Sequence, residues 1–450
     1  GGQAGVLYLG RPNGKFEAAP DQPWADVKDS DDVGAVFIDT MGTGHPDLFI
    51  ASGGVRHERG DPALANRLYL NDGHGHFKLA PDGVLPGNAE STAVAAAADF
   101  EGTGRVGLFV GGRVVPGRWP EAPRSYLYRN IGGKLVDVTD EAAPGLRKIG
   151  MVTAAVWADI DHDGHPDLIV VTEWGPISYF HNNGHGALED WTKKAGLSAR
   201  TGWWSSLAVA DLGTGKLDII AGNVGLNTKY HATADEPTVL YAGDLDGSGR
   251  EQLIEAQYEN GKLYPVRGRS KLAYVYPWIT KKFPTYEAYA KATVADIFPA
   301  DHLVSVRRYA ATELASGVYH QLDDGTFEFR PLPSIAQVSP INGIVVRDFD
   351  GDGIPDVYCV GNNYGPEPST GRFDGGVGVL LKGDGKGGLT PIPAWKSGLL
   401  ATGDARAAVA VALPGQKGPA TIAVSQCNGP VLLFTPNAAP KRGEKSVAMR

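Results

Sequence analysis

Cysteine is almost absent from this chain: Cys359 and Cys427 are the only two in 450 residues. Two thiols cannot build a disulfide framework, and neither stands in a CxxC spacing. That excludes a zinc ribbon and a thioredoxin-like centre and predicts two free, buried thiols. Basic residues are not in excess. Lys and Arg number 42 against 51 Asp and Glu, a formal net charge of -9, which argues against nucleic-acid binding through a broad basic surface. No apolar run approaches the length that spans a bilayer, and Gly1-Gly-Gln-Ala-Gly is too polar to be an export signal. If the protein is exported, this chain is its mature form. Catalytic signatures are missing too: there is no GxSxG, no HExxH, no complete Walker A and no recognisable Cys–His spacing, so the reading leans away from an enzyme.

Glycine is plentiful, at 61 residues, with 31 prolines. That richness suits many tight turns between short strands and predicts an all-β chain. One phrase recurs: an apolar strand, an acidic Gly-rich loop, then a second apolar strand. It is complete at Asp159-Ile-Asp161-His-Asp163-Gly164-His-Pro-Asp167 and at Asp348-Phe-Asp350-Gly-Asp352-Gly353-Ile-Pro-Asp356. Partial copies start at Asp39, Asp99, Asp211 and Asp244, and a seventh, Ala412 to Ala420, has lost its acids. Asn/Asp-Gly hairpins such as Leu68-Tyr-Leu-Asn-Asp-Gly fall between them. A unit of about four antiparallel strands cannot bury both faces alone, so copies must stack. Radial stacking of seven copies predicts one domain over 1–450, a seven-bladed β-propeller.

The hairpin at residues 5–16 is expected to close the ring together with the C-terminal strand Val431–Phe434. The spacing widens to 104 residues between Asp244 and Asp348. There, about residues 269–311, Thr285 followed by helically spaced apolar residues predicts a short helical insertion.

Alternating acids around a glycine gather hard oxygen ligands, which suits calcium rather than zinc or copper. The predicted ligands are Asp159, Asp161, Asp163 and Asp167; Asp348, Asp350, Asp352 and Asp356; Asp244, Asp246, Ser248 and Gln252; and, in a degenerate copy where Met41 replaces the second acid, Asp39, Thr43 and Asp47. The Asp244 loop formally fits an EF-hand, with Glu255 at the twelfth position, but its flanks read as strands. A calcium site of about 0.1 mM affinity in millimolar calcium adds on the order of 1 kcal/mol, which suits a structural staple.

These repeats resemble the FG-GAP/VCBS repeats of integrin-α-type propellers. Gly202-Trp-Trp-Ser-Ser, Gly222-Asn-Val-Gly-Leu-Asn, Lys281-Lys-Phe-Pro-Thr-Tyr and Gly361-Asn-Asn-Tyr-Gly-Pro resemble the bacterial ASPIC/UnbV, cartilage-acidic-protein-like branch. The resemblance covers essentially the whole chain. It implies a seven-bladed propeller, calcium in the acidic loops, and a secreted, periplasmic or cell-surface location; it names no ligand.

Loops following the first strand of each copy are expected to gather at one end of the ring, and they carry aromatic and hydrogen-bonding residues: Arg59, Arg113, Arg118, Trp119, Glu173, Trp174, Asn223, Asn227, Asn362, Asn363 and Tyr364; Trp203, Trp204 and Arg406 lie just before their strands, at the same or the opposite end. Paired Trp with Asn and Arg is what a sugar or peptide platform needs. The expectation is a calcium-binding propeller that holds a carbohydrate or extracellular protein on this face. The alternatives are a polysaccharide lyase or hydrolase, in which His57, Arg59, Glu173 and Tyr364 would supply acid, base and charge-stabilising groups, and a structural subunit of a surface assembly. The oligomeric state is left open.

Overall fold

The computed structural model describes residues 3–11, 15–368, 370–412 and 420–435. Six antiparallel sheets follow one another along the chain, each starting from its innermost strand. Sheet one is Asp31–Ile38, Asp47–Gly53, Arg67–Asn71 and Phe77–Leu79; sheet two is Thr92–Ala98, Gly107–Gly112, Tyr126–Ile131 and Lys134–Asp137. Sheet three is Met151–Ala158, Asp167–Gly175, Ile177–Asn182 and Leu188–Asp190, with the short strand Gly202–Trp203 added. Sheet four is Ser206–Asp211, Leu217–Gly222, Gly317–Gln321 and Phe327–Pro331. Sheet five is Ile341–Arg347, Asp356–Gly361, Val379–Gly383 and Leu389–Ile392, and sheet six has three strands, Ala405–Val411, Thr421–Gln426 and Leu432–Phe434.

First strands of successive sheets lie side by side, the radial order of a propeller. The alternation of each strand sends one set of side chains to each neighbouring sheet. Phe109 and Leu127 thus meet Leu168, Val170 and Phe180 between sheets two and three, and Ile220 and Val318 meet Val357 and Leu381 between four and five. Each second strand, buried along its whole length in sheets one, two and five, is the centre of its sheet.

The seven expected copies do not give seven sheets in series. The Asp244 copy sits in a separate sheet, ordered Lys262–Pro265, Gln252–Glu259, Thr238–Gly243 and Arg307–Ala311, nested between the second and third strands of sheet four. The chain leaves at Gly222 and returns at Gly317, where Ile219 pairs Tyr319. Five short helices within the insert, from Arg269–Val275 to Ala300–Ser305, pack Leu272, Tyr276, Ile279 and Phe298 under that sheet. Thr285 caps Tyr286–Ala290 as expected, its Oγ1 accepting from Ala288 N at 3.1 Å. The expected single helix ends there because Thr293 starts another, with a reciprocal capping box to Asp296. Residues 307–311, assigned to the helical stretch from sequence, form a strand.

At the N-terminus, Tyr8–Gly10 and Phe16–Ala18 form a two-stranded sheet of their own, and Leu432–Phe434 pairs only with Thr421–Gln426. Strand pairing among the described residues therefore does not join the two ends in one blade. Instead Trp24 packs on Leu48, Ile50 and Tyr69, so the N-terminal segment covers the face of sheet one that sheet two leaves free. Residues 12–14 of the hairpin turn and 413–419 of the seventh copy lie outside the described residues.

The two thiols differ. Cys359 is buried in the centre of sheet five, where burial pushes its thiol up to about 12, whereas Cys427 is exposed; the expectation of two buried thiols is corrected for Cys427, which follows the last residue of its strand. A thiolate is the reactive form, so a thiol reagent should titrate one cysteine in the native protein, and the second only in denaturant. Titration with a chromogenic disulfide, with Cys427→Ser as control, checks this.

Candidate functional site

Apart from the Asp244 loop, which belongs to the insert, the acidic loops join first to second strands and gather at one end of the sheets. Their conformation comes from one arrangement used repeatedly: the first Asp accepts backbone N–H groups four and five residues on. Asp39 takes Thr43 N and Gly44 N at 3.0 and 2.8 Å, Asp159 takes Asp163 N and Gly164 N at 3.0 Å each, and Asp244 takes Ser248 N and Gly249 N at 2.9 and 2.8 Å. The glycine has positive φ, 91° at Gly164, which other residues rarely adopt. The last Asp turns inward. Asp167 is fully buried, accepting from Ile160 N, Asn182 N and the Tyr179 hydroxyl. Burial pushes its carboxyl up to about 6 against the pull of those donors.

A second regularity lies opposite. The strand pairs Leu48–Tyr69, Leu108–Tyr128, Leu168–Phe180, Ile219–Tyr319 and Val357–Leu381 place Leu70, Arg129, His181, His320 and Lys382 next along the third strand, facing the loop. Arg129 lies 2.6 Å from Glu101, and His181 Nδ1 lies 3.2 Å from both Asp161 and Asp167. His320 Nδ1 reaches Asp218 at 3.1 Å, and Lys382 pairs with Asp350 and, at 2.8 Å, with Asp352. Where Met41 has replaced the acid, the facing residue is Leu70.

The donor sets treat calcium differently. Asp159, Asp161 and Asp163 bring carboxylate oxygens within 4.8 Å of one another, as do Asp161 and Asp167 with His181, and the buried His181 Nδ1 has no hydrogen-bond partner. That set fits a cation. Asp348, Asp350 and Asp356 also converge, but Lys382 already engages Asp350, together with Asp352. Gln252 does not present its oxygen to the Asp244 loop as expected: the oxygen accepts from Leu245 N, and the amide nitrogen donates to Asp246 and Ser248 at 2.7 and 3.2 Å. Burial raises the Asp246 carboxyl, but hydrogen bonds from Ser248, Gln252 and the Trp278 indole bring it down to about 2. The Asp39 loop keeps Thr43 and Asp47 but lacks a third acid, and Asp47 is buried on Thr40 N and Asn71 N.

At the opposite end, the insert and the 362–378 segment border a cleft of about 470 Å³. Trp119, Trp174, Trp203 and Tyr230 form its aromatic side. Trp203 stands edge-on to Trp174 and to Tyr230, with centroids 5.0 and 4.9 Å apart. Trp174 has φ +66°, costing about 1–2 kcal/mol for a bulky residue; the corresponding residue of sheet one is Gly54, at φ +84°. Across the cleft stand Asn363, Glu367, Phe373 and Arg406. Arg113 pairs with Glu173, Arg267 lies 3.7 Å from Glu255 and 3.5 Å from Glu367, and Tyr230, kept protonated by burial and by Glu255, donates to Glu255 at 3.3 Å. Two buried donors on the lining, Arg113 Nη1 and Trp203 Nε1, have no protein partner.

Of the residues proposed from sequence for this face, Trp119, Glu173, Trp174, Trp203, Trp204, Asn363 and Arg406 line the cleft. Trp204 is 1% exposed, and its indole donates to Gly175 O, so it packs between sheets. Arg59 pairs with Glu90, and Arg118 with Glu121; both border a separate shallow depression with His57. Asn227 donates to Val338 O, and the Tyr364 hydroxyl to Thr402 O. Asn223 and Asn362 are fully buried and are corrected to a structural role. Each follows the last Gly of a second strand and clamps the base of a long excursion. Asn223 donates to Glu313 O, with its own N–H given to Ser316 Oγ; Asn362 exchanges hydrogen bonds with Gly376 in both directions. Arg113, also expected on this face, lines the cleft; Tyr230, Glu255, Arg267 and Glu367 were not singled out for it, since the insert and the 362–378 segment bring them there from distant positions.

Residues 39–110, 159–221 and 308–359 match the model of the FG-GAP-like repeat. No curated protein matches the chain. Among solved structures, the chain is similar to an Agrocybe aegerita lectin described as recognising non-reducing terminal N-acetylglucosamine, with 17% identity over 87% of this chain and 88% of that one and a TM-score of 0.33. It is similar to BBS1N in complex with ARL6DN, with 10% identity over 97% and 99% and a TM-score of 0.37. It is also similar to the V. cholerae biofilm matrix protein Bap1, with 13% identity over 94% and 71% and a TM-score of 0.37.

Removing a clamp strands buried partners, which costs about 1–3 kcal/mol. Asn223→Ala should lower stability by that amount in urea denaturation and speed proteolytic cutting at the base of the insert, while Asn227→Ala, at an exposed site, should change neither.

Proposed function

We propose, for this chain of FG-GAP-like repeats, a secreted propeller module that binds a carbohydrate in the end-face cleft and is stapled by calcium at the Asp159–Asp167 loop. The six sheets and the N-terminal hairpin make up the seven sectors of the ring in this reading. The observation that carries the ligand assignment is the Trp119–Trp174–Trp203–Tyr230 wall beside two unpartnered donors, Arg113 Nη1 and Trp203 Nε1. Aromatic faces take the apolar side of a sugar ring, and buried donors without partners call for acceptor oxygens. Arg113, Arg267 and Arg406 on the lining are matched by Glu173, Glu255 and Glu367, so a neutral polyhydroxylated ligand fits better than a strongly charged one. The strained Trp174 supports the assignment, because such backbone gathers where a side chain is held for a task.

Calcium, when bound, supplies positive charge to Asp159, Asp161, Asp163 and Asp167, of which the last is buried without a full countercharge. It would hold the loop and, through Asn182, which donates to Phe100 O of the preceding sheet at 2.7 Å, the seam between sheets two and three.

Two outcomes follow. Incubation with a panel of neutral polysaccharides should deplete the protein from solution without creating new reducing or unsaturated ends, and Trp203→Ala should weaken retention at least tenfold at a temperature where its circular dichroism shows it still folded. New chain ends would convert the assignment to an enzyme, and silence across the panel would leave a protein-assembly role. Chelation with EGTA should lower the melting temperature by a few degrees, and Asp161→Asn should abolish that difference; an unchanged melting temperature together with no calcium in the purified protein would remove the staple.

A further inference from the structure

The two complete acidic loops are nearly identical in sequence pattern and in backbone bonding. Asp348 accepts from Gly351 N and Gly353 N at 2.7 and 2.9 Å, and Asp356 from Phe349 N and Gly383 N at 3.0 and 2.9 Å, much as Asp159 and Asp167 do. They differ in what faces them across the sheet. At the Asp159 loop it is the imidazole of His181, near two carboxylates but aligned with neither. At the Asp348 loop it is a primary ammonium held between Asp350 and Asp352.

We propose that Lys382 is the resident cation of the Asp348–Asp356 loop, standing where calcium is expected, so that this loop is complete without metal and admits calcium only when Lys382 is removed. The ammonium has three donors on a flexible stem and engages both acids at once. It is tethered to the third strand, so it is present at an effective concentration that dilution and chelators cannot change. A dication entering beside it would bring like charges together and would have to break both pairs first.

The other sheets supply an internal comparison. Arg129 answers Glu101 at the same facing position, and where Met41 stands in the acid's place the facing residue is the apolar Leu70. Where the second acid is present, at Glu101, Asp161 and Asp350, a basic side chain faces it; in sheet four, where Gly213 stands at that position, His320 reaches the closing Asp218 instead. This inference goes beyond the carbohydrate assignment and is separable from the calcium staple at the Asp159 loop.

Calcium binding to the chelator-stripped full chain, counted by isothermal titration calorimetry, tests it. Lys382→Met should bind one calcium more than the unchanged protein, Lys382→Arg should keep the original count, and Lys382→Met with Asp350→Asn should return to it. In EGTA, Lys382→Met should melt lower than the unchanged protein, and calcium should restore it. Equal counts with and without Lys382 would overturn the proposal. So would loss of one calcium from the otherwise unchanged protein on introducing Asp350→Asn and Asp352→Asn, a measurement that needs no Lys382 variant to fold. The two calcium claims fail separately. If the unchanged protein binds none and Lys382→Met binds one, the tethered cation stands and the Asp159 staple falls; if Asp161→Asn loses a site while Lys382→Met gains none, the reverse holds.

Discussion

Negative charge crowded into one end of the sheets is the constraint that the rest of the structure answers. Each loop turns because a leading carboxylate collects two backbone N–H groups, which places the following acids within a few ångströms of one another. At such distances carboxylates repel by an amount comparable to the net stability of a domain unless each is answered. The answers are local and varied: a guanidinium at Arg129, an ammonium at Lys382 and, at His181 and His320, a ring nitrogen close to the closing acid, while the Asp244 loop of the insert has amide and indole donors from Gln252 and Trp278. The closing acids Asp47 and Asp167 are buried under the strands and spend their oxygens on backbone donors, so the loops are part of the core rather than a decoration on it.

The loops also fasten neighbouring sheets. Asn130 donates to Thr40 O, Asn182 to Phe100 O and Gln321 to Ile160 O, each from the end of a third strand to the acidic loop of the sheet before. With one end tied in this way, the other end is free to carry long excursions. The insert and the 362–378 segment both rise from it, meet through Arg267, Lys271 and Glu367, and border the cleft whose aromatic wall comes from sheet three, the loop after the second strand of sheet two, and the insert itself.

Much of this was legible in the sequence. Strand alternation, Asn/Asp-Gly turns and the recurring acidic phrase located the sheets and their loops, because those features depend on residues close together in the chain. Residues that act at short range behaved as read: Thr285 as a cap, the leading Asp of each loop as a turn former. What was not legible depends on long-range pairing. The Asp244 copy looks like one more unit in a series, and only the pairing of Ile219 with Tyr319 reveals that it is nested. Asn223 and Asn362 look like ligand-facing amides, yet their partners, Glu313 and Gly376, are fixed by where the excursions return. The facing series Leu70, Arg129, His181, His320 and Lys382 is invisible until strand register aligns it.

The nesting of the insert bears on the order in which the chain acquires structure. Sheets one to three, five and six pair strands adjacent in sequence and can form as each segment becomes available. Sheet four must wait for a third strand that arrives roughly 100 residues after the second. Closing so long a connection costs about 3 kcal/mol more than closing a short hairpin, at about 0.6 kcal/mol per doubling of length, unless the insert folds first and brings its own ends together. The Asn223–Ser316 contact at its base is where those ends meet. Until then the central pair Ser206–Asp211 and Leu217–Gly222 presents an open apolar edge in the middle of the series, a segment exposed to mispairing during synthesis.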